Sequence, residues 1–194
     1  MNLNPGSPIS GSKKRPGTLL AFFRSNENID DVYLASAGHV IKPDFQYPSY
    51  TNIYYGDSVI GRHERGCPAA KLSNVDFLLA KINNQDEWSN EVPSNGTAIS
   101  RILSPNIGQE VNLFGRHTST SGKIIDVDKE GVGMYNFLIE FIGESPREGD
   151  SGAPWFTDSG ELVGMHLGVL RGNSRVLRAL YLSPLIEYYD IELM

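Results

Sequence analysis

The fold of this chain is decided at EGDSGAP, residues 148–154, where a serine lies inside a turn of small residues. Glycine adopts backbone angles that other residues avoid, so Gly149 and Gly152 allow the chain to reverse tightly on both sides of Ser151. Such a turn can direct the N–H groups of Gly149 and Ser151 toward one point, where they would stabilise an oxyanion. The segment therefore predicts a nucleophilic serine with an oxyanion hole formed by Gly149 and Ser151.

A serine hydroxyl is a poor nucleophile at neutral pH and needs a base within hydrogen-bond reach. His39 is the candidate base, because it ends the strand-like run YLASAGH, residues 33–39. Asp76 is the candidate carboxylate that orients this imidazole, since it opens the apolar run VDFLLAKI, residues 75–82, and is expected to be buried. Its rivals, most of them in polar loops, are Asp30, Asp31, Asp57, Asp86, Asp126 and Asp128.

Short apolar or alternating runs recur between turn signals along the chain, which predicts an all-β protein. Their regular spacing favours a barrel or sandwich over βαβ units. Ser183 and Pro184 predict the N-cap and first position of a C-terminal helix that continues through LIEYYDIEL, residues 185–193. The predicted strands cover residues 18–24, 32–37, 51–55, 58–63, 75–82, 110–116, 121–127, 134–142, 161–170 and 176–182.

The chain divides into an arm and two halves. Residues 1–17 are rich in Gly, Ser, Pro and Lys, a composition typical of a flexible arm. The polar, turn-rich stretch 84–107 predicts a connection between two halves. We therefore expect an N-terminal half, residues 18–100, that carries His39 and Asp76, and a C-terminal half, residues 101–194, that carries Ser151.

Composition excludes several classes of function. Lys and Arg number 17 against 23 Asp and Glu, a net charge of −6, which argues against nucleic acid or an anionic membrane as partner. The single cysteine, Cys67, excludes an intrachain disulfide and is interpreted as a bystander. The histidines show no metal-ligand spacing, so no metal or cofactor is expected. With no signal peptide or membrane span recognisable, the expected location is cytoplasmic.

Five segments resemble motifs of the chymotrypsin-like (trypsin-fold) serine peptidases. ASAGH at 35–39 is similar to T-A-A-H, VDFLLAKI at 75–82 to the D-I-A-L strand, and GDSGAP at 149–154 to G-D-S-G-G-P. GRHTSTSG at 115–122 resembles the G-R-T-T-G…S-G stretch of bacterial members. LVGMHLG at 162–168 resembles the strand that lines their specificity pocket.

The resemblance implies an all-β fold of two six-stranded antiparallel barrels with a short C-terminal helix. The site would lie between the barrels, with His39, Asp76 and Ser151 as catalytic triad. The implied activity is that of a serine endopeptidase that acts on protein or peptide substrates through an acyl-enzyme and without a cofactor.

The resemblance has departures. Ala153 replaces the second glycine of G-D-S-G-G-P, a small-for-small change, and no I-V-G-G-like N-terminus is visible. In members activated by cleavage, the new N-terminus pairs with the aspartate before the nucleophile, here Asp150. Bacterial members with G-R-T-T-G pair it with that arginine. Because an unpaired buried carboxylate is costly, we expect an ion pair between Arg116 and Asp150.

The resemblance also indicates which residues form the pocket for the substrate residue before the scissile bond (P1). Glutamyl endopeptidases have a histidine at the position of His166, facing an acidic P1 side chain; the alternative is a buried strand histidine bonded to backbone. Arg147 would favour an acidic P1 residue and Glu148 would oppose it, while Ser145 replaces the aspartate that selects Arg or Lys. The expected substrate-binding residues are Ser145, Pro146, Arg147, Glu148, His166, Leu167 and Gly168.

Two other functions compete with proteolysis. One is a protease fold kept as a peptide-binding or regulatory module with weak turnover, although every triad residue is present. The other is an esterase with the same triad, although residues 164–168 suit an extended peptide, which would pair with the backbone of 166–168 as an added strand. A cytoplasmic protease must also be restrained, either by narrow specificity or by a regulatory partner protein.

Overall fold

A computed structural model describes residues 2–11, 16–41, 50–64, 75–83, 87–93, 96–128 and 136–194. Strands dominate these ranges, which confirms the predicted all-β class. All ten predicted strands contain an observed strand, because their apolar runs each bury at least one face of a sheet. Cys67 and Asp86 lie outside the described residues.

The secondary structure consists of short strands and two short helices. The helices are α1 Gly38–Ile41 and α2 Ser183–Tyr189. The strands are β1 Asn2–Leu3, β2 Pro8–Ile9, β3 Gly17–Thr18, β4 Ala21–Ser25, β5 Val32–Ser36, β6 Tyr50–Tyr55, β7 Ser58–Glu64, β8 Leu78–Ile82, β9 Glu87–Trp88, β10 Glu91–Val92, β11 Thr97–Ala98, β12 Arg101–Ile102, β13 Glu110–Phe114, β14 Ser119–Asp128, β15 Asn136–Ile142, β16 Pro154–Phe156, β17 Glu161–Leu170, β18 Asn173–Tyr181 and β19 Ile191–Leu193.

The C-terminal half is a closed six-stranded barrel. Its strands follow the order β17-β16-β13-β14-β15-β18, and the ring closes because β17 also pairs with β18. Short β12 adds to β17 in parallel, outside the ring. Trp155, Phe137 and Leu177 are buried in its core, and burying each such side chain contributes about 1.5–3 kcal/mol.

The N-terminal half is a six-stranded sheet in the order β19-β4-β5-β8-β7-β6. Phe22, Phe23, Leu34 and Leu79 are fully buried in its core. Five of these strands come from the predicted N-terminal half, but β19 returns from the end of the chain to pair with β4. Each half thus contributes six strands, as the resemblance implies, and one of the two rings is seen to close.

The C-terminal helix is shorter than predicted. It begins after Leu182, which is the N-cap in place of the expected Ser183, and it ends at Asp190, whose φ of 48° is left-handed. Residues 191–193 then pair as a strand with β4. The apolar residues at 185–193 are compatible with a helix or a strand, and their spacing does not reveal that residues 191–193 pair with β4, which lies far away in the chain.

The N-terminal residues are ordered, so the prediction of a flexible arm is wrong for residues 2–11. Leu3 and Ile9 are buried in the N-terminal core. The N–H of Gly11 donates to the carbonyl of Val40, at 2.9 Å, in the helix that carries the candidate base. These contacts outweigh the flexibility that a Gly-, Ser- and Pro-rich composition indicates.

Candidate active site

His39 lies in the single-turn helix α1, directly after strand β5. Two contacts join it to Asp76: its ring Nδ1 lies 2.7 Å from Oδ2, and its backbone N–H donates to Oδ1 at 2.9 Å. A carboxylate bonded to both ring and backbone holds the imidazole in one orientation and directs Nε2 away from Asp76. The two predicted residues are thus brought together from distant parts of the chain.

The contacts of Asp76 determine its charge. Burial alone would raise the pKa of this carboxyl, but hydrogen bonds and charge interaction with His39, together with the N–H groups of His39 and Gly38, lower the pKa below the ordinary value of 3.8. Asp76 is therefore ionised throughout the neutral range. Its side chain remains 35% exposed and that of His39 41% exposed, so solvent reaches the pair.

The turn at Ser151 is docked onto the N-terminal half. The N–H of Thr18 donates to the carbonyl of Ser151 at 2.9 Å. A Cβ added at Gly152 would come 2.2 Å from the carbonyl oxygen of Thr18 and 3.3 Å from the N atom of Ala37. Since Ala37 precedes His39 by two residues, this contact brings the turn against the segment that leads to His39.

The other side of the same turn is docked onto strand β17. The N–H of Gly152 donates to the carbonyl of His166 at 2.9 Å, and the N–H of His166 donates to that of Ala153 at 2.8 Å. The turn thus has two flanks, one on residues 17–18 and one on the candidate pocket strand.

Two backbone N–H groups around Ser151 have no acceptor among the described residues. Gly149 has a φ of 101°, a conformation that favours glycine. Its carbonyl accepts a hydrogen bond from Thr18 Oγ1 at 2.7 Å, which fixes the peptide. Within the described ranges, the N–H groups of Gly149 and Ser151 donate to no protein acceptor. Neither predicted oxyanion donor is thus used by another described residue.

Asp150 is fully buried, but the predicted ion pair with Arg116 is absent from the described residues. Oδ1 of Asp150 accepts from the N–H of His117, and Oδ2 from the N–H of Arg147, both at 2.8 Å. The Arg116 side chain is exposed, and only its N–H reaches inward, to Thr18 Oγ1 at 3.3 Å. Two backbone donors thus stabilise the buried carboxylate in place of the guanidinium.

His166 lies within the C-terminal barrel with 2% exposure. Burial lowers its pKa to about 4, against a smaller opposing effect of Asp150, so the imidazole is neutral at pH 7. Its Nδ1 has no hydrogen-bond partner among the described residues. The ring packs edge-on against Trp155, with centroids 6.2 Å apart. The alternative interpretation of His166, a buried strand histidine whose ring bonds to the backbone, is therefore not supported at Nδ1.

The other predicted pocket residues lie on two segments. Pro146 is buried, while Ser145, Arg147 and Glu148 are exposed. The Arg147 guanidinium pairs with the carboxylate of Glu144, which partly neutralises the charge expected to favour an acidic P1 residue.

Strand β17 has a free edge beyond His166. Its pairing with β16 ends at Met165, and a bulge at Leu167 interrupts its pairing with β18. Gly168 has a φ of 144°, and a Cβ added there would meet no atom within 4 Å. Space is therefore open beside Gly168, as an added peptide strand requires.

Thr18 is a site residue that sequence reasoning missed. It bonds the carbonyl oxygens of both Gly149 and Ser151, and its own carbonyl accepts from Ser36 Oγ at 2.7 Å. Threonine in an apolar run carries no local signal of such a role, because these contacts form only after the two halves meet.

Two further classes of feature are absent from the part of the chain that the structure describes. Its His, Cys, Asp and Glu side chains form no cluster of three that could hold a metal ion. Neither of its helices has the length and apolar character that crossing a bilayer requires.

The chain shares its fold with bacterial chymotrypsin-like serine proteases. Thermobifida fusca protease A is 18% identical with a TM-score of 0.74, over 100% of this chain and 99% of that one. A glutamic acid-specific serine protease that uses a histidine triad in substrate binding is 18% identical with a TM-score of 0.72, over 99% and 100%. Nocardiopsis protease is 16% identical with a TM-score of 0.72, over 100% and 99%. No family model and no curated protein sequence matches the chain.

Proposed function

We propose that this chain is a serine endopeptidase in which Ser151 is the nucleophile, His39 the general base and Asp76 the residue that orients His39. The observation that carries the proposal is the double contact of His39 with Asp76, beside a turn in which the N–H groups of Gly149 and Ser151 donate to no acceptor in the described part of the chain. These are the groups that acyl transfer requires. The chymotrypsin-like fold supports the same reaction.

The reaction follows from the chemistry of these groups. Ser151 Oγ attacks the peptide carbonyl carbon while His39 Nε2 takes its proton, and the N–H groups of Gly149 and Ser151 stabilise the oxyanion. His39 then gives the proton to the leaving amine as the C–N bond breaks, which leaves an acyl-enzyme. Water, deprotonated by His39, hydrolyses this ester and releases the acid and Ser151.

A fluorophosphonate probe tests the nucleophile. We expect it to label the wild type at Ser151 and not the Ser151→Ala variant, whereas the exposed Ser174→Ala control should be labelled as the wild type is. Peptide-library cleavage then separates the rivals. If the probe labels Ser151 and the protein hydrolyses esters but not peptides, the protein is an esterase. If the probe labels wild type and Ser151→Ala equally, or labels neither, a binding module is favoured.

We further propose that His166 favours an acidic P1 residue. The support is its unpartnered Nδ1 on the strand that would hold the acyl part of the substrate, together with the resemblance to glutamyl endopeptidases. Because the free imidazole is neutral at pH 7, it offers one N–H donor rather than a cation. A bound carboxylate would raise the pKa of His166 and draw a proton into the pocket.

This coupling has a measurable sign. The ratio of kcat/KM for Glu over Gln at P1 should increase as pH falls from 8 to about 5, and the pH dependence of the chemical step cancels in the ratio because both substrates share that step. The His166→Gln variant should lose the pH dependence of the ratio. A flat wild-type ratio would remove His166 from P1 recognition without affecting the assignment of the triad.

A further inference from the structure

A second histidine, His117, lies beside the candidate oxyanion hole. A Cβ added at Gly149 would come 3.2 Å from both Cδ2 and Nε2 of His117, and 3.6 Å from the carbonyl oxygen of Pro16. The imidazole edge thus covers the open face of the glycine that supplies one oxyanion donor. His117 as a whole is exposed to solvent.

The position of His117 is set by its backbone. The N–H of Gly115 donates to the carbonyl of Thr118 at 2.8 Å, closing a tight turn, and the N–H of His117 donates to buried Asp150 at 2.8 Å. Any residue at 117 could make that backbone bond. The imidazole is therefore not needed to satisfy Asp150, and its contact with Gly149 requires another explanation.

The two flanks of the Ser151 turn give that explanation. Strand β17 borders one flank, and in the proposed reaction it holds the acyl part of the substrate. The part after the scissile bond must then cross the opposite flank, where the turn is bonded to residues 17–18. Pro16 and His117 both border Gly149, so they face the leaving peptide.

The charges at this flank favour a negatively charged leaving-group residue. Arg116 and His117 are adjacent and exposed, and neither forms an ion pair with another described residue. Asp150 is shielded by burial and by its two backbone donors. Glu148 is the one exposed carboxylate next to Gly149 in sequence, and it opposes the preference.

We propose that His117 is a specificity-determining residue for the leaving-group side, and that it selects substrates with Asp or Glu directly after the scissile bond (P1′). Nε2 donates a hydrogen bond to that carboxylate, and Arg116 adds positive charge at the same flank. This inference rests on the proposed function, because it assumes that Ser151 cleaves peptides. It concerns the P1′ residue and is separate from the role of His166 at P1.

The test uses peptides that are identical except at P1′, where they carry Glu, Gln, Ala or Lys. We expect the wild type to prefer Glu over Ala by about tenfold in kcat/KM, near the lower end of what one hydrogen bond to a charged group contributes. The His117→Thr variant should reduce this ratio to near one, mainly through slower cleavage of the Glu peptide. The Lys123→Thr variant, an exposed cation removed from strand β14, should keep the wild-type ratio.

The outcomes are distinct. If wild type and His117→Thr both cleave but show the same P1′ preference, or if the wild type has no preference for Glu, the inference is wrong while the proposed function remains. If the wild type cleaves no peptide and no fluorophosphonate labels Ser151, the proposed function fails and the inference fails with it. Fluorophosphonate labelling of His117→Thr verifies that the variant is folded, because the probe has no P1′ residue.

Discussion

Of the histidines that border the Ser151 turn, His39 and His166 differ in both exposure and hydrogen bonding. His39 is 41% exposed and its Nδ1 is held by an ionised carboxylate. His166 is 2% exposed and its Nδ1 has no partner among the described residues. The first can take a proton and be stabilised as a cation, whereas the second is kept neutral by burial.

The comparison shows that residue type alone does not assign a role. His39 follows an apolar strand and His166 lies within one. The local sequence around either histidine is therefore compatible with a neighbouring carboxylate. The carboxylate lies beside His39 only, so the general base is expected there. His166 lies where burial lowers its pKa, so protonation there is costly unless an anion is bound beside it.

The largest expected effects come from substituting Ser151 or Asp76, the carboxylate that distinguishes the surroundings of His39 from those of His166. Asp76→Asn should lower kcat about 10⁴-fold, because the amide no longer stabilises the imidazolium or selects its tautomer. Ser151→Ala should lower it by about 10⁶-fold. Single-turnover peptide cleavage measures both. The exposed Asp126→Asn variant is the matched control and should retain full activity; if Asp76→Asn did the same, the contrast between the two histidines would lose its basis.

The next largest effect is expected from substitution of Gly152. Its N–H bonds to the carbonyl of His166, and its Cα side lies against the segment that leads to His39. A Cβ there would come 2.2 Å from the Thr18 carbonyl at a φ of 94°, so Gly152→Ala should destabilise the protein by about 3 kcal/mol or more and abolish labelling of Ser151. Gly172 has nearly the same φ, 90°, with no atom within 4 Å, so Gly172→Ala should cost only about 1 kcal/mol. Urea unfolding measures the difference, and equal costs would show that the docking contact contributes nothing.

A smaller effect concerns pH and stability. The pKa of His166 is about 4 in the folded protein and near 6.5 unfolded, so the unfolded state binds the proton first as pH falls. The free energy of unfolding should therefore decrease by roughly 2 kcal/mol from pH 7.5 to 5. His166→Gln should remove this contribution. Asp76, with its lowered pKa, affects stability only below this range, where protonation would release it from His39. Identical pH profiles for wild type and variant would exclude a buried neutral His166.

The smallest effect is expected at Arg116. Because its side chain is exposed and Asp150 is held by backbone donors, Arg116→Ala should change the free energy of unfolding by less than about 0.5 kcal/mol. Asp150→Ala should cost about 1–3 kcal/mol for each buried donor left unpaired. Thermal or urea unfolding of the two variants measures these costs. A large loss of stability in Arg116→Ala would support the predicted ion pair between Arg116 and Asp150.

The fold was predictable where residues bury one face of a local strand. The strands within 32–37 and 161–170 were predictable from their runs of apolar residues, which end at small or turn residues. Strand β16 was missed, because its three buried residues directly follow the turn and show no alternation. The N-terminal residues were misjudged because their order depends on hydrogen bonds to distant strands, which composition does not encode.

The site was predictable in its residue types and less so in its contacts. His39 and Asp76 could be paired in advance because acyl transfer needs both. The partner of Asp150 could not, since a backbone N–H is present at every residue except proline and leaves no mark in the sequence. For the same reason nothing distinguished Thr18 from other threonines.

Strand β19 has a consequence for how the protein is made. Residues 191–193 pair with β4, and Asn90 joins the two by bonding the backbone of both Phe22 and Met194. During synthesis, the sheet next to His39 therefore lacks one strand until residues 191–193 have left the ribosome. The edge of β4 stays unpaired during that time. We expect the nascent chain to remain inactive until residues 191–193 can pair with β4.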